Sequence, residues 1–190
     1  MEVIEKRIPK IVARISDAAD LRRIAAETLK PDTDVAVSGL SGSARGLFIA
    51  GLWQALRRPL IVVTHQDRGI EPLATDIAYF HGELNANGPA RVSAFPAWET
   101  DPYAGFSPHA DVQQARATAL WKVRHNQVDV LVTSIRAIAT RLVTPIEFDA
   151  SSLHISAGDD LSQELLIEHL TNAGYLRQEP VGGHGPIAEA

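Results

Sequence analysis

The sequence has no cysteine among its 190 residues. That excludes disulfides, a thiol nucleophile and any zinc site built on cysteinate. No apolar run reaches the ~20 residues of a membrane-spanning helix, and the N-terminus lacks the pattern of a secretory signal. These absences fit a cytoplasmic protein with no membrane partner. An excess of basic charge is also missing. The formal net charge of -5 argues against a chain that grips nucleic acid over a broad surface. Residues 1–30 carry seven Lys/Arg against five Asp/Glu, a balance of +2 that leaves -7 for the remainder. A solvated helix face accounts for that mildly basic leader as well as a ligand does. What is present is ordinary globular composition, 45% apolar and 22% charged, with length for one domain and part of a second.

Hydrophobic spacing predicts one or two helices in a leader spanning 1–30, with Ile8, Ile11, Val12 and Ile15 on one stripe and Leu21, Ile24, Ala25 and Leu29 on another. Ser16 or Asp17 is a candidate cap for the second of these. Beyond Pro31 the chain alternates. Strands are expected at 35–38, 60–64, 91–95 and 128–133, and helices at 45–57, from Pro72 to about His81, at 111–125, and in a short piece ending near Val143. Strands that are apolar on both faces and separated by helices imply a parallel sheet covered by helices, an α/β domain over 31–145. From Pro145 the texture changes. Residues 152–156 alternate like a half-exposed strand. Asp160 is placed to cap a helix with Leu161, Leu165, Leu166 and Leu170 inward and Gly174 at its end, and 175–181 reads as extended. Residues 146–190 are therefore expected to form a partial second α+β unit.

The chain is organised around Val35-Ala36-Val37-Ser38-Gly39-Leu40-Ser41-Gly42-Ser43-Ala44-Arg45-Gly46, a β-branched run that breaks into small residues and then an apolar helix. That order suits a phosphate held by backbone N–H groups at a helix N-terminus. Against the phosphate-loop pattern G-x-x-x-x-G-K-S/T, Gly39 matches the first glycine, Ala44 replaces the second, Arg45 the lysine and Gly46 the hydroxyl residue. Ala44 adds a Cβ where close approach is needed. Arg45 keeps the charge on a bulkier fork, and Gly46 offers a metal no ligand. The expectation is a degenerate loop, Gly39 to Gly46 with Gly42 and Ser43 inside it, that binds no cofactor and catalyses nothing. The rival reading is an active NTPase or phosphotransferase in which Arg45 does the lysine's work.

The second distinctive stretch, Phe95 to His109, contains three prolines and four aromatics directly after an expected strand, where ligand loops of an open α/β sheet sit. It reads as a rigid recognition element or as a loop packed over the sheet. The composition favours packing, with Trp98, Tyr103 and Phe106 against the sheet. Ser107, His109 and Asp111 are neighbours in sequence, whereas triad members meet across a fold. Gly39-Leu40-Ser41-Gly42-Ser43 lacks the last glycine of a nucleophile elbow. The seven histidines have no metal-ligand spacing. Asp129 is misplaced for a metal-binding acid, which belongs at the strand's C-terminal end where Thr133 and Ser134 stand, so a strand-edge or capping role is expected of it.

The strand–loop–helix at 35–57, the pair Trp98-Glu99-Thr100-Asp101-Pro102-Tyr103 and Phe106-Ser107-Pro108-His109, Arg116, and the stretch Val128–Arg141 together resemble the N-terminal UvrB-homology module of the bacterial transcription-repair coupling factor family, Mfd. The resemblance covers about 33–185. It implies the RecA-like fold of UvrB domain 1a, with a nucleotide loop that does not use ATP. It makes Trp98, Glu99, Pro102, Tyr103, Ser107, Pro108 and His109 the family-motif residues. Residues from about 146 resemble the start of domain 2, which in the family docks UvrA. The family's arginine after a pair like His184-Gly185 has no counterpart here. UvrA binding is therefore expected to be weak or lost, with Arg177, the one arginine of 146–190, as the possible contact. The resemblance further implies contacts to the rest of the parent factor, an ATP-dependent DNA translocase that meets RNA polymerase and DNA through other domains. In that setting the module recruits UvrA and helps hold the resting factor closed. A structural remnant without a partner is the remaining alternative.

Overall fold

The computed structural model describes residues 14, 19–85, 88–98, 108–173 and 175. It divides into two compact units, Met1–Thr140 and Arg141–Ala190. In the first unit, α1 (Ala19–Thr28) buries Leu21 and Ala25. Its expected stripe is met except at Leu29, which lies past the helix and is exposed. The candidate caps Ser16 and Asp17 and the first leader stripe lie outside the described residues.

Helix α2 (Ala44–Leu56) buries Gly46, Ala50, Gly51 and Trp53, and ends on Arg57 in the left-handed region, whose N–H donates to the Trp53 carbonyl at 2.7 Å. The sheet follows, with β1 (Leu60–Thr64), β2 (Val92–Phe95) and β3 (Val130–Ser134) in the order β1-β3-β2, all parallel. Leu60 pairs with Val130 and Val92 pairs with Val130 on the other side, so Leu60, Val62, Val92, Ala94, Val130 and Val132 point to one face. There they meet Ile49 and Trp53 of α2 and Ile70, Leu73, Ala74 and Ile77 of α3 (Ile70–Leu84). On the opposite face Phe95 and Leu131 pack with Ala97, with Ala119 and Leu120 of α4 (Ala110–Arg124), and with Ala137 of α5 (Ile135–Ile138). β1 departs from the expectation of burial on both faces. Ile61 and Val63 point the same way as Leu131 and remain 69% and 47% exposed, because among the described residues α4 and α5 cover only β2 and β3.

Three further expectations are corrected in this unit. Val35–Ser38 is not a strand and joins none of the three described ones. β-branched residues favour extended backbone, but a strand forms only where a partner completes its ladder. Helix α3 begins before Pro72 and runs through Gly82 to Leu84. Proline is tolerated in a first turn, where N–H groups have no helical partner, and one interior glycine costs a helix only about 1 kcal/mol. The short helix after β3 ends at Ile138, well before Val143.

In the second unit, α6 (Pro145–Ser151) was not foreseen. Thr144 and Glu147 form a reciprocal capping box in front of Pro145, which supplies enough local structure for a short helix. No strand forms at 152–156, where no described segment offers a ladder and the Ser156 N–H donates instead to Asp159 Oδ2 at 2.7 Å. Helix α7 (Gln163–Asn172) is capped by Ser162, whose Oγ accepts from the Leu165 N–H at 3.2 Å, rather than by Asp160. Leu165, expected inward, is exposed. None of the described side chains of this unit is buried. Gly174 and 176–181 lie outside the described residues.

Candidate functional site

Two places gather the residues singled out above, and they lie on different elements. The first is the turn into α2. Gly39 and Gly42 adopt φ of +84° and +52° with open space around them, so the small-residue run makes the tight path that only glycine follows without strain. The turn then closes on itself. The Ala44 N–H donates to the Ser41 carbonyl at 3.2 Å and the Arg45 N–H to the Gly42 carbonyl at 3.3 Å. Those are two of the N–H groups that a phosphate loop aims at its ligand. Ser43 occupies the N-cap with helical φ and ψ, and its hydroxyl donates to Asp76 Oδ1 of α3 at 3.2 Å instead of capping the helix. Residues Gly39 to Arg45 are exposed, while Gly46 is buried against α3. A Cβ at 46 would lie 2.6 Å from Asp76 Cβ and 2.9 Å from the Asp76 carbonyl carbon. The glycine standing where a phosphate loop has its hydroxyl residue is thus a packing requirement.

The second place is the C-terminal end of the sheet, where parallel α/β folds put their ligand loops. Hydroxyls stitch the three strand ends together. Thr64 Oγ1 donates to the Thr133 and Gln66 carbonyls, each at 3.0 Å, and Thr133 Oγ1 to the Phe95 carbonyl at 2.9 Å. Ser134 Oγ donates to Asp67 Oδ1 and accepts from the Ala137 N–H at 3.1 Å, which starts α5. Asp67 also accepts from the Ala97 N–H at 3.3 Å. Asp67 was missed from sequence; its only signal was an acid just past a strand end. Beside it Arg116, 3% exposed, lies between the rings of Phe95 and Trp98 with its guanidinium 4.1 and 4.2 Å from their centroids. Its Nη1 donates to the Pro96 carbonyl, and burial pulls its pKa down from the usual arginine value. This arrangement holds the exit of β2 rigidly and half-buries Trp98. His109 caps α4, its Nδ1 accepting from the Asp111 N–H at 3.3 Å, and both side chains are exposed. Pro108 is half-buried. Glu99, Pro102, Tyr103, Phe106, Ser107 and Arg177 lie outside the described residues.

Asp129 stands just ahead of β3, at the opposite end of the sheet from these loops. Its Oδ2 meets Nε2 of the fully buried His81 at 3.0 Å and its Oδ1 lies 3.7 Å from Arg91. The His81 ring is 4.1 Å from Trp53, and burial, opposed by Asp129, lowers its pKa. This cluster ties α2, α3 and β3 together without facing either loop.

An α/β unit with a small parallel three-stranded sheet is of the UvrB-like class. The UvrABC system protein B of Tropheryma whipplei is 22% identical over 180 residues, 90% of this chain and 25% of that protein. The similarity to coupling factors is more specific, and the chain contains an N-terminal UvrB-homology module of the transcription-repair coupling factor kind. The transcription-repair-coupling factor of Myxococcus xanthus is 31% identical over 150 residues, 78% of this chain and 12% of its own length. That of Escherichia coli is 26% identical over 149 residues, with the same 78% and 12%. The chain therefore spans about 12% of the length of the coupling factors it matches. No protein-family model matches it. Among the described residues, no helix is long and apolar enough to cross a membrane.

Proposed function

We propose that these residues form a non-catalytic module of a transcription-coupled nucleotide excision repair factor, which recruits UvrA and helps hold the full-length factor closed. Its action is contact and masking, and bond chemistry belongs to ATP-driven translocase domains elsewhere in the parent. The observation that carries the reading is the state of the turn into α2. The Ala44 and Arg45 N–H groups are spent on loop carbonyls, and Gly46 brings no ligand for a metal. The specific similarity to coupling factors supports the repair setting. Trp98, held against Arg116, then belongs to a rigid exit from β2, and UvrA contact falls to the second unit.

Calorimetric titration with Mg·ATP tests the first half, and no heat is expected. A Kd in the micromolar range or below restores the rival NTPase with Arg45 in the lysine's place. Pull-down of purified UvrA tests the second half. A full-length coupling factor is expected to retain UvrA, and this chain to retain it weakly. Equal retention would show that residues 146–190 already hold the docking surface and would make Arg177 the first residue to change. No retention by either would remove UvrA as the partner.

A further inference from the structure

We propose that residues 8–15 of the leader cover the open face of β1, laying Ile8, Ile11, Val12 and Ile15 over Ile61 and Val63. Parallel sheets are stable with both faces covered. Here α2 and α3 cover one face, and on the other, among the described residues, α4 and α5 reach only β2 and β3. Ile61 and Val63 are left 69% and 47% exposed in a strand without a charged residue. The leader carries the complementary surface. On a helical wheel Ile8, Ile11, Val12 and Ile15 share one arc of about 100°, and Lys10 and Arg14 fall outside it. Pro9 suits the first turn of such a helix. Arg14, the described residue of this segment, is helical and exposed, as the polar side of that wheel requires. The leader also belongs to the same compact unit as the sheet. β1 is the edge of the described sheet, so a chain arriving from α1 crosses no described strand to reach its open face. The other undescribed stretches of this unit fit the place less well. Residues 86–87 are too short for a cover, and 99–107 run from the end of β2 to α4, with β3 between β2 and β1.

The lack of native cysteine makes thiol labelling a direct test, because Ile61→Cys then supplies the only thiol in the full chain. Its reaction with iodoacetamide is followed by mass spectrometry and is expected to be slow under the leader. Adding Ile11→Asp should speed labelling by roughly tenfold or more as the cover opens. Ile15→Asp should do the same, and it stands in if the first variant folds poorly. Lys10→Asp, on the polar side, should leave the slow rate unchanged. In a parallel chain Val132→Cys, buried in β3, should stay unreactive with and without Ile11→Asp. Labelling of Ile61→Cys that is already as fast as with Ile11→Asp overturns the proposal. Slow labelling that neither stripe variant relieves assigns the face to another occupant and defeats it as well. A rate that falls as chain concentration rises points to a second copy instead, with the same consequence. An equal acceleration at Val132→Cys also counts against it, since the whole unit has then opened.

Discussion

Arg116 carries more than its sequence position suggests. It is a cation buried between two rings, with its charge spent on a backbone carbonyl. Truncation in Arg116→Ala removes two cation–π contacts and strands the Pro96 carbonyl, a loss expected to total roughly 2–4 kcal/mol. Arg116→Met should cost less, since it fills the slot between Phe95 and Trp98 without burying a charge. Urea midpoints at unchanged slope measure both, and an equal loss in the two would show that the guanidinium's charge and hydrogen bond, not packing, hold the exit of β2. His81 gives the pH dependence. Its folded pKa is lowered chiefly by burial, so the unfolded chain binds the proton more readily. Stability should therefore be full above the unfolded histidine value of about 6.5 and fall as pH drops below it. His81→Leu should flatten the melting temperature between about pH 7 and 5 relative to the parent. A parent curve that rises on acidification would contradict this.

At the scale of elements, the contact between α2 and α3 is set by one glycine. Gly46 allows the helices to approach until Asp76 backbone touches its Cα environment, and no side chain fits between them. Gly46→Ala is expected to destabilise by about 1–3 kcal/mol as an overpacked contact, despite alanine's better helix propensity. Thermal melting decides it, and a rise in melting temperature would mean that the helices part easily. The sheet shows the converse. β1 is short and wholly uncharged, and its Ile61 and Val63 face away from the core helices. Such an edge has none of the charges or prolines that usually blunt one.

At the scale of the molecule, the two compact units differ in how they are held. The first has apolar clusters on both faces of its sheet. The described part of the second has caps, a capping box and two helices, but no buried side chain, and Ile146 is 82% exposed. Helices of seven and ten residues are marginal without packing, and segments with little burial open first. Limited proteolysis should therefore cut within 141–190 before it cuts the first unit, leaving a resistant fragment that ends near Thr140. Mass spectrometry of the products reads this directly, and first cuts inside 60–134 would show that the sheet unit is the weaker one.

The sequence by itself was enough for most elements whose pattern is local, although the capping box that starts α6 is local too and was not foreseen. The run Leu60–Thr64 is a strand at the expected residues, 91–95 and 128–133 fall within two residues of β2 and β3, and the helices expected at 45–57 and 111–125 match α2 and α4 within one residue. Tertiary structure alone decided what depends on partners far along the chain. Val35–Ser38 has strand composition, and among the described residues no strand lies beside it. Asp76 reaches Ser43 across 33 residues, and Asp67 reaches Ser134 across 67. A propensity acts within a few residues, whereas a ladder, a buried cation or a closed turn exists only when distant segments are brought together. That is why the strands could be read along the chain and the groups that join them could not.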